Sequence, residues 1–362
     1  MEIGIIGLPQ SGKTTIFNAL TGLGGQGAHP DRAAVGVAKV PDPRLQPLAE
    51  LFNSRKITQA EVKYFDVPLT PRGLGKSEGF GGKLLNLLSQ ADALLHVVRA
   101  FEEASIPHIE GSVDPCRDAE ALDLELTYSD LTILERKEER LGDALKGARA
   151  QERDKLLTEQ ALIERVRGQL EDGVPLRSQA LDADEGKTLS GYQFLTAKPE
   201  LVLLNVGEEA LSKTDALERE MMDRFGGDSV VVASVCGKLE EELSQLDREE
   251  AAQFRSSMNG GEPALEKVLR VSYGLLGLVS FITCGPTETR AWPVARGTAA
   301  VKAAGKIHSD MERGFIRAEV IGHEDVLKWE GLVEARKQGL IRQEGKEYRV
   351  RDGDVINFLF NV

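Results

Sequence analysis

The sequence predicts an α/β fold: a parallel sheet covered by helices on both faces, interrupted by a helical hairpin and followed by a smaller α+β unit. Three observations predict it. The pattern G-x-x-x-x-G-K-[ST], here Gly7-Leu8-Pro9-Gln10-Ser11-Gly12-Lys13-Thr14, joins an apolar run to a helix-forming one. Short apolar runs recur with helical stretches between them, as in a sheet buried on both faces. A long charged stretch with helical apolar spacing then divides these runs, and a strand-rich segment ends the chain.

Taken in order, Ile3-Gly4-Ile5-Ile6 reads as the first strand and Thr15-Ile16-Phe17-Asn18-Ala19-Leu20 as the helix after the loop. Between them the glycines let successive N–H groups point inward around a phosphate, and the helix N-terminus adds its partial positive charge. Lys13 is placed to reach the β- and γ-phosphates of a nucleotide, and the Thr14 hydroxyl to ligate Mg²⁺. Val62-Lys63-Tyr64-Phe65-Asp66 is the second strand, and its terminal Asp66 suits the Mg²⁺ hydration shell. Ala93 to Val98, Leu201 to Leu204 and Val230 to Ala233 supply the remaining strands.

Asn205-Val206-Gly207-Glu208 follows the fourth strand, where proteins with this loop carry a base-reading segment. An Asn amide both donates to and accepts from a purine edge. Guanine recognition typically uses Asn-Lys-x-Asp; Val206 in place of Lys and the longer Glu208 in place of Asp point to ATP rather than GTP. Cys236-Gly237-Lys238, after the fifth strand, is positioned to close over the base. Ordinary strand-to-helix connections are the alternative reading of both segments.

From Arg117 to Gln193 there are 18 acids and 12 bases. Leu131, Leu134, Leu141 and Leu145 share one helical face, as do Leu156, Ile163, Val166 and Leu170. This predicts an antiparallel helical hairpin joined near Gly147. A partner-binding arm and a solvated helix pair packed on the core both fit that pattern. After about Arg270, strands are expected at Leu278 to Thr283, Arg317 to Ile321, Tyr348 to Val350 and Val355 to Phe360, with a turn at Asp352-Gly353-Asp354. The expected domains are 1–116 with 194–277, the helical insertion 117–193, and 278–362.

Composition narrows the function classes. The chain is 41% apolar and 28% charged, as ordinary soluble globular proteins are. No run approaches the roughly 18 apolar residues of a membrane span, and no basic leader or cleavage site opens the chain. Cys116, Cys236 and Cys284 lie far apart and form neither a disulfide framework nor a zinc site, so a cytoplasmic protein is expected. The net charge of −13 argues against wholesale binding of nucleic-acid phosphates, and no DNA specificity is expected. Residues 278–362 carry 13 bases and 12 acids, a net of +1, which leaves −14 for the rest. That segment is the candidate for any RNA contact.

Several separated blocks carry a resemblance. They are Gly7 to Leu20, Val40-Pro41-Asp42-Pro43-Arg44-Leu45, Ala91 to Arg99, Val113-Asp114-Pro115, Ala303 to His308, Gly314 to Glu319, and Asp352 to Val362. Through them the chain resembles, over essentially its full length, the YchF or Obg-like ATPase family. The resemblance implies a phosphate-loop, G-like nucleotide-binding domain, an inserted helical (coiled-coil) domain and a C-terminal TGS domain. It also implies ATP preference, slow Mg²⁺-dependent hydrolysis, and association with the ribosome or a ribosomal subunit in translation or stress regulation. By the same resemblance Pro9, Gln10, Ser11, Gly12, Lys13, Thr14 and Thr15 surround the phosphates, with Lys13 and Asp66 catalytic and Thr14 and Asp66 at the metal. Asn205, Val206 and Glu208 would meet the adenine, and Cys236, Gly237 and Lys238 would line its other side.

The chain departs from the family pattern at specific positions. The usual Asn-Val-Gly-Lys-Ser is Gln10-Ser11-Gly12-Lys13-Thr14, which keeps the metal hydroxyl but replaces an Asn associated with a monovalent cation. Asp-Ile-Ala-Gly becomes Asp66-Val67-Pro68-Leu69, so Leu stands where a Gly N–H senses the γ-phosphate. The first switch, Gly27 to Gly36, has no Thr or Ser, and a second-switch His aligns with Leu87. These changes touch positioning groups, which supply most of the rate in phosphoryl transfer, more than binding groups. An ATP-binding sensor with little or no hydrolysis and a GTPase of the ordinary switch type are the alternatives.

Overall fold

The computed structural model describes residues 1–23, 34–66, 82–227, 229–244, 246, 250–251, 253 and 263–361. The first-switch stretch up to Ala33, the positions Val67, Pro68 and Leu69, Gly79 to Gly81, and Val362 lie outside the described residues. The chain divides into two compact units, 1–36 with 63–265 and 37–62 with 266–362. The helical insertion thus counts with the nucleotide unit. Residues 37–62, expected in the sheet domain, count with the C-terminal unit.

The first unit is built on a six-stranded sheet of β1 (Glu2–Ile6), β2 (Ala34–Val40), β4 (Ala60–Asp66), β5 (Ala93–Ala100), β6 (Glu200–Val206) and β7 (Val230–Val235), in the order β2-β4-β1-β5-β6-β7. The pairs β1–β4, β1–β5, β5–β6 and β6–β7 are parallel. Their registers pair Ile5 with Asp66, Ile6 with His96, Arg99 with Asn205, and Asn205 with Val235. One edge of the sheet therefore gathers the ends of β1, β4, β5, β6 and β7, the edge at which open α/β sheets bind ligands. All five expected strands form. Edge strand β2, with its alternating exposed and buried residues, is an addition to them.

Helix α1 (Lys13–Thr21) follows the loop, α2 (Leu45–Leu51) and the short β3 (Ile57–Thr58) lie in the excursion 37–62, and α3 (Gly82–Gln90) precedes β5. The insertion consists of α4 (Pro115–Gly147), α5 (Ala150–Glu171) and α6 (Ala183–Ser190). Asp114 caps α4 by accepting from the Arg117 N–H, with Pro115 at the first helical position. Leu134 and Leu141 of α4 pack against Ile163, Val166 and Leu170 of α5, and Leu189 and Phe194 close that core.

The arm is rooted in the sheet by buried charge. Asp130 of α4 accepts from the Leu195 N–H at 2.9 Å, the Thr196 N–H at 2.8 Å and the Thr196 hydroxyl at 2.7 Å. Arg177 lies 2.6 Å from Glu200 at the start of β6 and 3.3 Å from Asp123 of α4. His96 of β5 is 2.9 Å from the other Glu200 oxygen. Burial works against the Glu200 charge, yet Arg177 and His96 hold its carboxyl down to about 2. Burial and the Glu200 charge instead push Asp123 up to about 6, against the pull of Arg177.

Beyond α7 (Thr214–Phe225), α8 (Gly237–Leu243) and α9 (Ala264–Leu275) comes the sheet of the second unit. It contains β3, β8 (Leu278–Cys284), β9 (Thr289–Ala295), β10 (Phe315–Gly322), β11 (Arg342–Glu344) and β12 (Asp354–Phe360), ordered β11-β10-β12-β8-β9-β3. The small face Ala300, Ala303 and Ala304 of α10 (Ala300–Ile307) lets that helix settle onto Phe281, Phe315, Val320 and Phe358. Short helices α11 (Ser309–Arg313), α12 (His323–Lys328) and α13 (Leu332–Lys337) fill the connections. Three of the four expected strands form. The expected strand Tyr348 to Val350 does not form: the segment makes only a single antiparallel bridge, Arg349 with Ala299. That bridge is closed by the Val350 N–H donating to the Thr298 carbonyl and the Ala300 N–H to the Tyr348 carbonyl, while the Tyr348 N–H turns back to the Gly345 carbonyl.

The excursion 37–62 is stitched into this unit. Ile57 and Thr58 pair with Thr289 and Arg290, and the Ser54 hydroxyl donates to the Gly285 carbonyl at 2.7 Å. Arg44 grips Asp42 through Nε and Nη2, both at 2.8 Å, and reaches Asp352 with Nη1 at 2.6 Å. Asp352 in turn accepts from the Ser280 N–H at 2.8 Å.

The arm root carries a pH signature. An aspartate whose folded pKa is raised contributes stability that is complete below its unfolded value of about 3.9 and is lost as pH rises through about 6. Asp123→Asn, neutral at every pH, is expected to gain on the wild type in urea midpoint between about pH 5 and about pH 7.5. A difference that stays constant across that range would contradict it.

Candidate functional site

The loop after β1 is shaped by close approach. A Cβ on Gly7 (φ 153°) would lie 2.3 Å from the Val97 carbonyl oxygen, and one on Gly12 (φ 91°) would lie 2.2 Å from Asn205 Nδ2. Gln10 stands between them in the left-handed region at φ 65°, a conformation disfavoured for a residue with a Cβ, and its side chain is exposed. Helix α1 starts at Lys13 with no acidic residue of its own in the first turn, and its positive dipole end favours an anion there.

Lys13 is buried, and its ammonium donates to the carbonyls of Gly7 at 2.8 Å and Leu8 at 2.9 Å. Burial pulls it down to about 8, offset in part by Asp66. Phosphate charges delivered to the loop would relieve that desolvation by keeping the ammonium ionised. The Thr14 hydroxyl donates to Asp66 Oδ2 at 2.7 Å, while Asp66 Oδ1 has no hydrogen-bond partner among the described residues. A hydroxyl and a carboxylate side by side, one oxygen unused, are hard donors that fit Mg²⁺ completed by phosphate and water.

Asn205, at the end of β6, is buried with both ends of its amide engaged. Nδ2 donates to the Ser11 carbonyl at 3.0 Å, and Oδ1 accepts from the Gly237 N–H at 3.0 Å. The residue expected to read the base therefore ties the phosphate loop to the segment after β7. Val206 and Cys236 turn their side chains into the core cluster of Val98, Val202 and Met221, whereas Glu208 and Lys238 are exposed. A Cβ on Gly237 would lie 2.8 Å from Ile16 Cδ1, so glycine there lets α8 close on α1. Ser11 is buried; Pro9 and Thr15 are half-buried on the loop and the first turn of α1.

Sequence reasoning assigned no role to Arg99, which pairs in register with Asn205. Its Nε donates to the Phe101 carbonyl at 3.1 Å and Nη2 to the Ile106 carbonyl at 2.7 Å, with the guanidinium 4.6 Å from the Phe101 ring centroid. It thus pins the loop beyond β5 at the ligand edge. A basic residue ending an otherwise apolar strand was the available signal. Leu87, standing where a water-positioning His was sought, is an exposed apolar residue of α3.

A phosphate loop after the first strand, an acid ending a neighbouring strand beside the loop threonine, and an asparagine clamping the loop from a third strand define a phosphate-loop nucleotide-binding protein. Comparison with known proteins gives the particular family. Residues 2–126 match the model described as 50S ribosome-binding GTPase, and residues 278–361 match YchF-GTPase_C, described as a protein of unknown function (DUF933). The chain is 40% identical over 367 residues to the ribosome-binding ATPase YchF of Haemophilus ducreyi, covering 100% of this chain and 99% of the relative. It is 38% identical over 368 residues to that of Bacillus subtilis, covering 100% of both. The solved structure of the Schizosaccharomyces pombe YchF GTPase superposes with a TM-score of 0.87 at 30% identity, covering 99% of this chain and 97% of that one. The chain belongs to the YchF family.

Replacing Asn205 with Ala strands a carbonyl and an N–H in a buried setting. The expected loss is about 2–4 kcal/mol of stability together with about tenfold weaker nucleotide binding, read by denaturation and by titration calorimetry. Unchanged affinity would contradict the clamp.

Proposed function

We propose that this protein is a slow, Mg²⁺-dependent ATPase that works on the ribosome, in the cytoplasm, to regulate translation or a stress response. The observation that carries the reading is the Thr14–Asp66 pair set beside the buried Lys13. In this reading the loop N–H groups and Lys13 hold the β- and γ-phosphates, and Thr14 and Asp66 hold Mg²⁺, which when bound supplies charge neutralisation at the phosphates. The backbone from Asn205 to Glu208 and from Cys236 to Lys238 borders the base. ATP is preferred because Val206 cannot act as the lysine of Asn-Lys-x-Asp, its side chain being buried in the core. Ribosome binding follows the names of the full-length relatives, and the C-terminal unit, read as a TGS domain with near-neutral charge, is the candidate for RNA contact.

A second reading, an ATP-binding sensor with little turnover, is favoured by Leu87: an exposed leucine cannot orient a water. Phosphate release by the purified chain, with and without ribosomes, separates the two when measured beside ATP and GTP affinities. The ATPase reading expects ATP to bind more tightly than GTP, and release above that of Lys13→Ala that rises on adding ribosomes. Tight ATP binding with release no higher than Lys13→Ala would instead favour the sensor, and tighter GTP binding would restore an ordinary GTPase.

A further inference from the structure

The arm carries a built groove that the nucleotide site does not use. It runs between α5 and α6 with a volume of about 990 Å³, at the upper end of the roughly 300–1,000 Å³ of ligand pockets. Its floor is apolar: Leu157, 46% exposed, with Ala161 and Leu162 beside it. Its rim is acidic, with Glu159, Asp182, Asp184 and Glu185 against Lys155 and Arg165. Three of these acids are held in place by the fold. Asp182 caps α6 by accepting from the Asp184 and Glu185 N–H groups, Glu185 meets Arg165 at 2.6 Å, and Glu159 meets Lys137 at 2.8 Å. The insertion as a whole holds 18 acids to 12 bases, so the surplus negative charge extends beyond the rim.

An acidic rim repels a phosphate backbone and steers basic groups, while an apolar floor rewards a buried aliphatic side chain. We infer that the α5–α6 groove docks a basic, amphipathic helical segment of a protein partner, its apolar face on Leu157 and Ala161 and its Lys and Arg side chains along the Asp182–Glu185 rim. The partner rests on the ribosome reading above, and the inference specifies a ribosomal protein rather than ribosomal RNA as what the arm touches. Helix-in-groove recognition of this kind uses anchors at helical spacing flanked by complementary charge.

The test uses the full-length chain with a photo-crosslinking side chain installed at exposed Thr158 in the groove, irradiated with ribosomes and sedimented. Crosslinks to a Lys- and Arg-rich segment of a ribosomal protein are expected. Asp184→Lys is expected to weaken co-sedimentation about threefold to tenfold, and Lys155→Glu to strengthen it, both effects shrinking at high salt. Wild-type co-sedimentation with crosslinks to RNA, or with none from the groove, overturns this inference and leaves the ribosome reading standing. So does an unchanged affinity in both charge variants. Failure of the wild type to co-sediment overturns both.

Discussion

The nucleotide site depends on one side-chain amide. Asn205 donates to the Ser11 carbonyl and accepts from the Gly237 N–H, so it joins the loop after β1 to the turn after β7 from the end of the strand between them. The two glycines follow from that clamp, since a Cβ on Gly12 would collide with its nitrogen and one on Gly237 would crowd its oxygen at 3.0 Å. Only an amide offers a donor and an acceptor at that reach; an aspartate would set a carboxylate against the Ser11 carbonyl. The residue type is therefore demanded by loop geometry, whatever the base.

The second constraint is a latch between distant parts of the chain. Arg44 and Asp352 are 308 residues apart in sequence yet 2.6 Å apart in space, and Arg44 keeps Asp42 in the same grip. The Asp-Pro-Arg block and the Asp-Gly-Asp turn are thus halves of one device inside the C-terminal unit. Gly353 (φ 78°) belongs to it, because a Cβ there would lie 2.9 Å from Arg44 Nη1 and 2.6 Å from His323 Nδ1. The latch fixes residues 37–62 as part of that unit. The chain consequently leaves the nucleotide unit within β2 and re-enters it within β4, the strand that ends at Asp66.

What was legible in the sequence was local. Strands β1, β5 and β6 are buried along nearly their whole length and read as apolar runs, β4 and edge strand β7 are buried toward their ligand-edge ends, and the phosphate loop carries its own spacing. Strand β2 escaped because Ala34-Val35-Gly36-Val37 alternates weakly beside a glycine-rich stretch. Strand β9 escaped because Pro293 and the charged Arg290 interrupt it, although Arg290 stacks on Trp292 at 4.0 Å. Tyr348 to Val350 reads as a strand by composition, but its pairing stops at one bridge with Ala299, because the Tyr348 N–H turns back to the Gly345 carbonyl and the Tyr348 hydroxyl donates to Asp354. Thr14 and Asp66 carry motif signals in the sequence and lie in hydrogen-bond contact, whereas the contacts of Asn205 and Arg99 depend on partners that only the folded register supplies.

The pair β5–β6 explains how one sheet carries both a nucleotide site and an arm. At one end of the pair Arg99 and Asn205 stand in register and hold the ligand-edge loops. Toward the other, Glu200 binds His96 and Arg177, so the arm is anchored where β6 begins. Between these polar ends every residue from Leu201 to Leu204 is buried and apolar. Polar groups bonded at both ends of an apolar strand resist slippage in either direction, because a shift of one residue would bury Glu200 or Asn205 without its partners. The register that places Asn205 under the phosphate loop is therefore also the register that places Glu200 beneath the arm, and neither can be lost without the other.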